Sequence, residues 1–89
     1  MEIPDDVLVD LQKRLRRAEG QVRAVQRMLD ERAECRDVVT QISAASKALE
    51  QVGFRLLAAG LAYCTEHPEE AEASGYPLRE VERMFMKLS

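Results

Sequence analysis

The sequence predicts an all-α chain with three helices per subunit, pairing with a second copy into an antiparallel four-helix-bundle dimer. Apolar residues recur at alternating spacings of three and four along two long segments, and no segment alternates with period two. The core formers are Leu, Val, Ala and Met: apolar residues make up 46% of the chain but aromatics only 4%, with no Trp. The apolar stripe exceeds what one chain of 89 residues can bury alone, so a second copy is the natural cover. This length suits a single domain over residues 1–89.

The first helix is expected to begin near Pro4, Asp5 and Asp6, because proline suits a first turn and early carboxylates suit the positive end of the helix dipole. Leu8, Leu11, Leu15, Ala18, Val22, Val25 and Leu29 then form a heptad seam. Gly20 interrupts it at a cost of about 1 kcal/mol relative to Ala, and is read as room for a close helix contact. The helix is expected to end around Asp30 to Arg32.

The second helix starts near Cys35, with Asp37 in its first turn. Val38, Ile42, Ala45, Leu49, Val52, Leu56, Ala59 and Tyr63 continue the seam, and Val39, Leu57 and Leu61 add a second stripe. So wide an apolar face implies more than one neighbouring helix. Pro68 closes the helix after about Glu66. His67 to Tyr76 reads as an acidic connector ending in the turn Ser74-Gly75-Tyr76-Pro77. Leu78, Val81, Phe85 and Leu88, with Met84 alongside, give a short third helix one apolar face.

Two cysteines near the ends of the second helix carry the sharpest functional signal. If the segment between them is one helix, Cys35 and Cys64 lie roughly 40 Å apart, beyond disulfide reach within one chain. Two copies packed antiparallel bring Cys35 of one subunit beside Cys64 of the other, and two-fold symmetry makes two such sites per dimer. No membrane span or signal peptide is visible, so the expected location is cytoplasmic, where a cysteine pair suits metal binding, catalysis or redox sensing better than a structural bridge. The helix N-terminus, Arg32 and Arg36 favour a reactive thiolate at Cys35, while Glu34 and Asp37 oppose it. The competing reading makes each cysteine a small buried hydrophobe.

The net charge of −3 hides a basic stretch. Lys13, Arg14, Arg16, Arg17, Arg23 and Arg27 face a single acid, Glu19, between positions 13 and 27. Arg14 and Arg17 share one face, and Lys13, Arg16 and Arg23 an adjacent one. The pattern fits either phosphate contact or a solvated helix face, and it contains no helix-turn-helix or zinc-finger signal. His67, the only histidine, follows Cys64 by three residues, which suits a shared metal, but it precedes Pro68 in an exposed segment. No phosphate loop, nucleophile triad or paired-carboxylate arrangement is present, so no enzyme is expected.

The run Arg14-Leu15-Arg16-Arg17-Ala18-Glu19-Gly20-Gln21-Val22-Arg23, then Cys35-Arg36-Asp37-Val38-Val39-Thr40-Gln41-Ile42-Ser43-Ala44-Ala45, closely resembles the CsoR/RcnR-like family of bacterial transcriptional repressors. The likeness continues through Ala48-Leu49 to Cys64. It implies a dimer-of-dimers homotetramer that binds double-stranded operator DNA, with Arg14 and Arg17 as first contacts and Lys13, Arg16, Lys47 and Arg55 behind them. Copper-sensing members place a histidine four residues before the second cysteine; here that position is Gly60. Their outer-shell tyrosine is replaced by Glu34, whereas their outer-shell glutamate is retained as Glu80. The histidines of nickel and cobalt sensors are absent, and Pro4 does not match the terminal proline of formaldehyde sensors.

Two cysteines without that histidine resemble the CstR-type, persulfide-sensing branch. The resemblance implies no metal cofactor and a per/polysulfide inducer. Cys35 attacks its outer sulfur, and Cys64 of the partner subunit resolves the resulting persulfide as a di-, tri- or tetrasulfide. The alternative is Cu(I), which suits two thiolates, with His67 as a third ligand.

Overall fold

A computed structural model describes residues 3–89. Among them the regular structure is helical throughout: α1 (Asp5–Asp30), α2 (Cys35–Glu66), α3 (Pro68–Ala73) and α4 (Leu78–Leu88). The molecule is elongated, 54 × 25 × 14 Å, and α2 is the spine against which the other three helices pack.

Pro4 sets the start of α1, its carbonyl accepting the Leu8 N–H at 3.0 Å, and Asp5 and Asp6 occupy the first turn. The far end stops abruptly because Arg32 turns left-handed, with φ 56°. The Ala33 N–H then reaches back to the Met28 carbonyl at 2.8 Å, and the Arg32 N–H to that of Leu29 at 3.2 Å. These bonds satisfy carbonyls that a helix end otherwise leaves unpaired. The Glu34 carbonyl accepts the N–H groups of Asp37 and Val38 at 3.0 and 3.1 Å and starts α2, so a short link returns α2 along α1.

Each heptad seam divides into two rows spaced by seven. Leu11 and Ala18 of α1 and Val38 and Val52 of α2 are buried between the two helices. The alternate row, Leu8, Leu15, Val22 and Leu29 of α1 with Ile42, Leu49 and Leu56 of α2, is 41% to 62% exposed. One chain is therefore half of a bundle, with an apolar face left open. A Cβ at Gly20 would meet nothing within 4 Å, so the close contact expected there is not made inside the chain.

The segment expected as a connector holds a further helix, which corrects the count from three to four. Pro68 stands at the start of α3, where its missing N–H costs nothing. Gly75, at φ 89°, ends it: the Tyr76 N–H bonds the Ala71 carbonyl at 2.8 Å and the Gly75 N–H that of Glu72 at 3.1 Å. The left-handed conformation is one that glycine adopts without penalty. This cap folds Tyr76 onto Ala71, which is 1% exposed. α4 follows, its Val81 joining Cys64 and Ala71 in a small core ringed by Tyr63, Tyr76 and Met84. Its far end lies on α2 where Gly53 carries no side chain: a Cβ there would stand 2.8 Å from Leu88 Cδ1. Phe54 and Phe85 meet at a tilt of 53°, ring centroids 5.5 Å apart. The second stripe of α2 thus meets α4 through Leu57 and Leu61, while Val39 stays exposed.

Candidate effector site and nucleic-acid interface

Cys35 is the first residue of α2 and is exposed; Cys64 lies in its last turn and is buried, and both are free. The 32-residue helix between them is unbroken, so the thiols stand roughly 40 Å apart along its axis. The Cys64 thiol donates to the Tyr76 carbonyl at 3.4 Å, with Ala71 and Val81 packed around the sulfur. A depression lined by Thr65, Pro68, Glu72 and Arg79 opens beside it.

Gly60, one turn before Cys64, is buried and brings only backbone to the site. His67 turns outward, its ring 5.2 Å from that of Tyr63 and its Nδ1 3.7 Å from Glu70 Oε2. Glu34 is exposed at the start of α2, and Glu80 accepts a hydrogen bond from Arg83 at 3.0 Å. Among the described residues of one chain, no three His, Cys, Asp or Glu side chains cluster closely enough to hold a metal. A site using both thiols therefore needs two chains.

The basic residues of α1 separate into two kinds. Lys13, Arg16 and Arg17 are exposed, and neither Arg16 nor Arg17 makes a hydrogen bond or ion pair among the described residues. Arg14 is half-buried, and its Nε donates to Asp10 Oδ2 at 2.9 Å. That hydrogen bond holds the Asp10 carboxyl below its ordinary value against the opposing effect of desolvation, and the charges of Arg14, Arg55 and Lys13 add to it. Arg55 comes from α2, so the fold joins two candidate DNA contacts that are distant in sequence. Lys47 is exposed on the same helix. Arg23 is paired with Glu19. The i,i+4 spacing of Asp10 and Arg14 was the available sequence signal for the first pairing. No sequence signal announces Tyr76 as the partner of Cys64.

A family model described as metal-sensitive transcriptional repressor matches residues 9–87. The chain belongs to that family. It is 49% identical over 65 residues to the copper-sensing transcriptional repressor RicR of Mycobacterium tuberculosis, a match covering 73% of this chain and 65% of RicR. It is 32% identical over 76 residues to the copper-sensing transcriptional repressor CsoR of Bacillus subtilis, covering 85% and 75% of the two chains. A crystal structure of the copper-sensing repressor CsoR with Cu(I) from Geobacillus thermodenitrificans superposes with a TM-score of 0.70 at 34% identity, covering 99% of this chain and 84% of that one. The likeness extends the fold of this family over nearly the whole chain.

These relatives correct one expectation. The expectation of thiols without a metal, with Cu(I) only as the alternative, is reversed: all three relatives are named for sensing copper, and one was crystallised with Cu(I). The chemistry of the donors agrees. Gly60 removes one potential ligand but leaves two soft sulfurs, and Cu(I) prefers soft donors. The CstR-type branch draws no support from these relatives.

Among the described residues no helix is long and apolar enough to cross a membrane.

Proposed function

We propose that this single-domain chain is an operator-binding repressor whose DNA affinity is lowered by Cu(I) held between Cys35 of one subunit and Cys64 of another. The placement of the two thiols at opposite ends of one unbroken helix carries the reading. Antiparallel pairing of two α2 helices is the simple arrangement that unites them. The exposed seam supplies the reason to pair: covering its seven large side chains is worth on the order of 5–10 kcal/mol per subunit before the costs of association. The exposed Phe85 and Met86 on α4 remain for a second contact that makes a homotetramer. Arg17, Arg16, Lys13, Lys47 and the Arg14–Arg55 pair face double-stranded operator DNA. Because DNA is its partner, the protein works in the cytoplasm.

When bound, Cu(I) would cross-link two subunits through the sulfurs. The chain's own residues then hold the thiolates: Cys35 is presented at a helix start, and Cys64 is steadied by Ala71 and Val81. The ion must favour the low-affinity state by several kcal/mol to clear an occupied operator.

The test is anaerobic Cu(I) titration against a competing chelator, with binding of genomic DNA fragments selected for affinity to the protein. Two Cu(I) per dimer, loss of uptake in Cys35→Ala and Cys64→Ala, and DNA release by Cu(I) in the parent alone are expected. Gly60 favours a second reading, sensing of per/polysulfide. Weak Cu(I) uptake, together with a covalent dimer heavier than two subunits by whole sulfur atoms after polysulfide treatment, would replace copper with that inducer.

A further inference from the structure

Asp10 stands between two guanidinium groups from two helices. Arg14 of α1 bonds it directly at 2.9 Å, and Lys13 of α1 and Arg55 of α2 lie within electrostatic reach. Arg55 also lines a surface groove between the helices, with Asp6 and Asp10 on the opposite wall. Both partners of the Asp10–Arg14 pair are open to solvent, at 49% and 31% side-chain exposure. An exposed pair of this kind contributes little to stability, and a competing anion can separate it. A guanidinium binds a phosphate with the same donors it offers a carboxylate.

We propose that Arg14 and Arg55 form one phosphate seat, with Asp10 as its resident anion. A backbone phosphate of bound DNA displaces the carboxylate from Arg14. Asp10 thereby sets how tightly the protein grips DNA without contacting it. In the unbound protein it keeps the Arg14 side chain folded back along α1 and offsets its charge. This inference rests on the repressor reading, because it assigns the seat to a nucleic-acid phosphate rather than to free phosphate.

The test uses the full chain with a random-sequence 30-base-pair duplex, since phosphate contacts dominate nonspecific binding. Asp10→Asn is expected to tighten binding several-fold at low salt, and Asp10→Glu to restore parent affinity. The gain must shrink in an Arg14→Ala background; a gain of undiminished size there reflects only a general loss of negative charge and overturns the seat. The Arg14→Ala and Arg55→Ala double variant is expected to flatten the salt dependence by about one phosphate contact, because both groups hold one phosphate; a loss of two contacts would overturn the shared seat. In parallel, inorganic phosphate is titrated while the Arg14 Hε resonance is followed. A shift reached at lower phosphate in Asp10→Asn than in the parent supports the seat. If that shift occurs but no duplex binds, the seat takes free phosphate and the repressor reading fails. If duplex binds and Asp10→Asn changes nothing, the seat fails and the repressor reading survives.

Discussion

The thiol of Cys64 and the carbonyl of Tyr76 are joined by a hydrogen bond at 3.4 Å across twelve residues of sequence. The bond links the end of α2 to the turn that carries α4. It exists because α3 ends on Gly75 and folds Tyr76 back over Ala71. A thiol that gives up its proton to bind an electrophile or a metal loses this donor, and the carbonyl is left facing an anion.

Cys64→Ala is expected to destabilise the chain by about 1–2 kcal/mol, through the lost sulfur packing and the unpaired Tyr76 carbonyl. Cys64→Ser keeps a donor and should lose less. Urea unfolding of the three proteins side by side measures this, and an alanine variant with the parent midpoint would show that the bond contributes nothing. Amide hydrogen exchange at residues 74–76 should also quicken in the alanine variant.

The two left-handed residues respond in opposite directions. Arg32 holds φ 56° with a β-carbon in the way, so Arg32→Gly is expected to stabilise by about 0.5–1 kcal/mol. Gly75 holds φ 89° without that obstacle, so Gly75→Ala should cost about 1–2 kcal/mol and loosen Tyr76 from Ala71. Thermal unfolding of both variants checks the signs, and a parallel response would contradict this account of the caps.

Asp10 makes stability depend on pH in a known direction. Its carboxyl, held by Arg14, titrates below the unperturbed value of 3.8. The folded state therefore binds this proton more weakly than the unfolded chain. The contribution is fully present above the unperturbed value and is lost as pH falls through the lowered one. Parent and Asp10→Asn should differ by a small, constant margin from neutrality down to about pH 5, and that margin should close at the acid end. A margin that widens on acidification would reverse the sign.

The long helices were legible because their signals are local and repeated. Pro4 with two aspartates marked the start of α1, and Pro68 marked the end of α2. The heptad rows also announced more apolar surface than one chain covers, though not which row stays open. The short α3 was hidden, since its six residues expose every side chain except Ala71 and carry no apolar period. In the candidate site, the opposed cysteines could be read from spacing and helix length alone. The contacts with Tyr76 and Arg55 could not, because each depends on where a turn or a neighbouring helix delivers a group from far along the chain. Copper stood as the alternative rather than the main reading for a chemical reason: the lack of a histidine at Gly60 weighed more than the two soft sulfurs that remained.

The continuity of α2 constrains how this chain can change in length. Adding or deleting one residue between Cys35 and Cys64 would swing everything beyond it by about 100° around the helix axis. The second thiol would leave its pocket, and the apolar seam would leave its line. A change of length there would therefore undo both the thiol pocket and the seam, whereas an exchange of side chain at a fixed position keeps the register of both. Gly60, buried one turn from the thiol and bringing only backbone, is the position where a side chain could be added without disturbing that register.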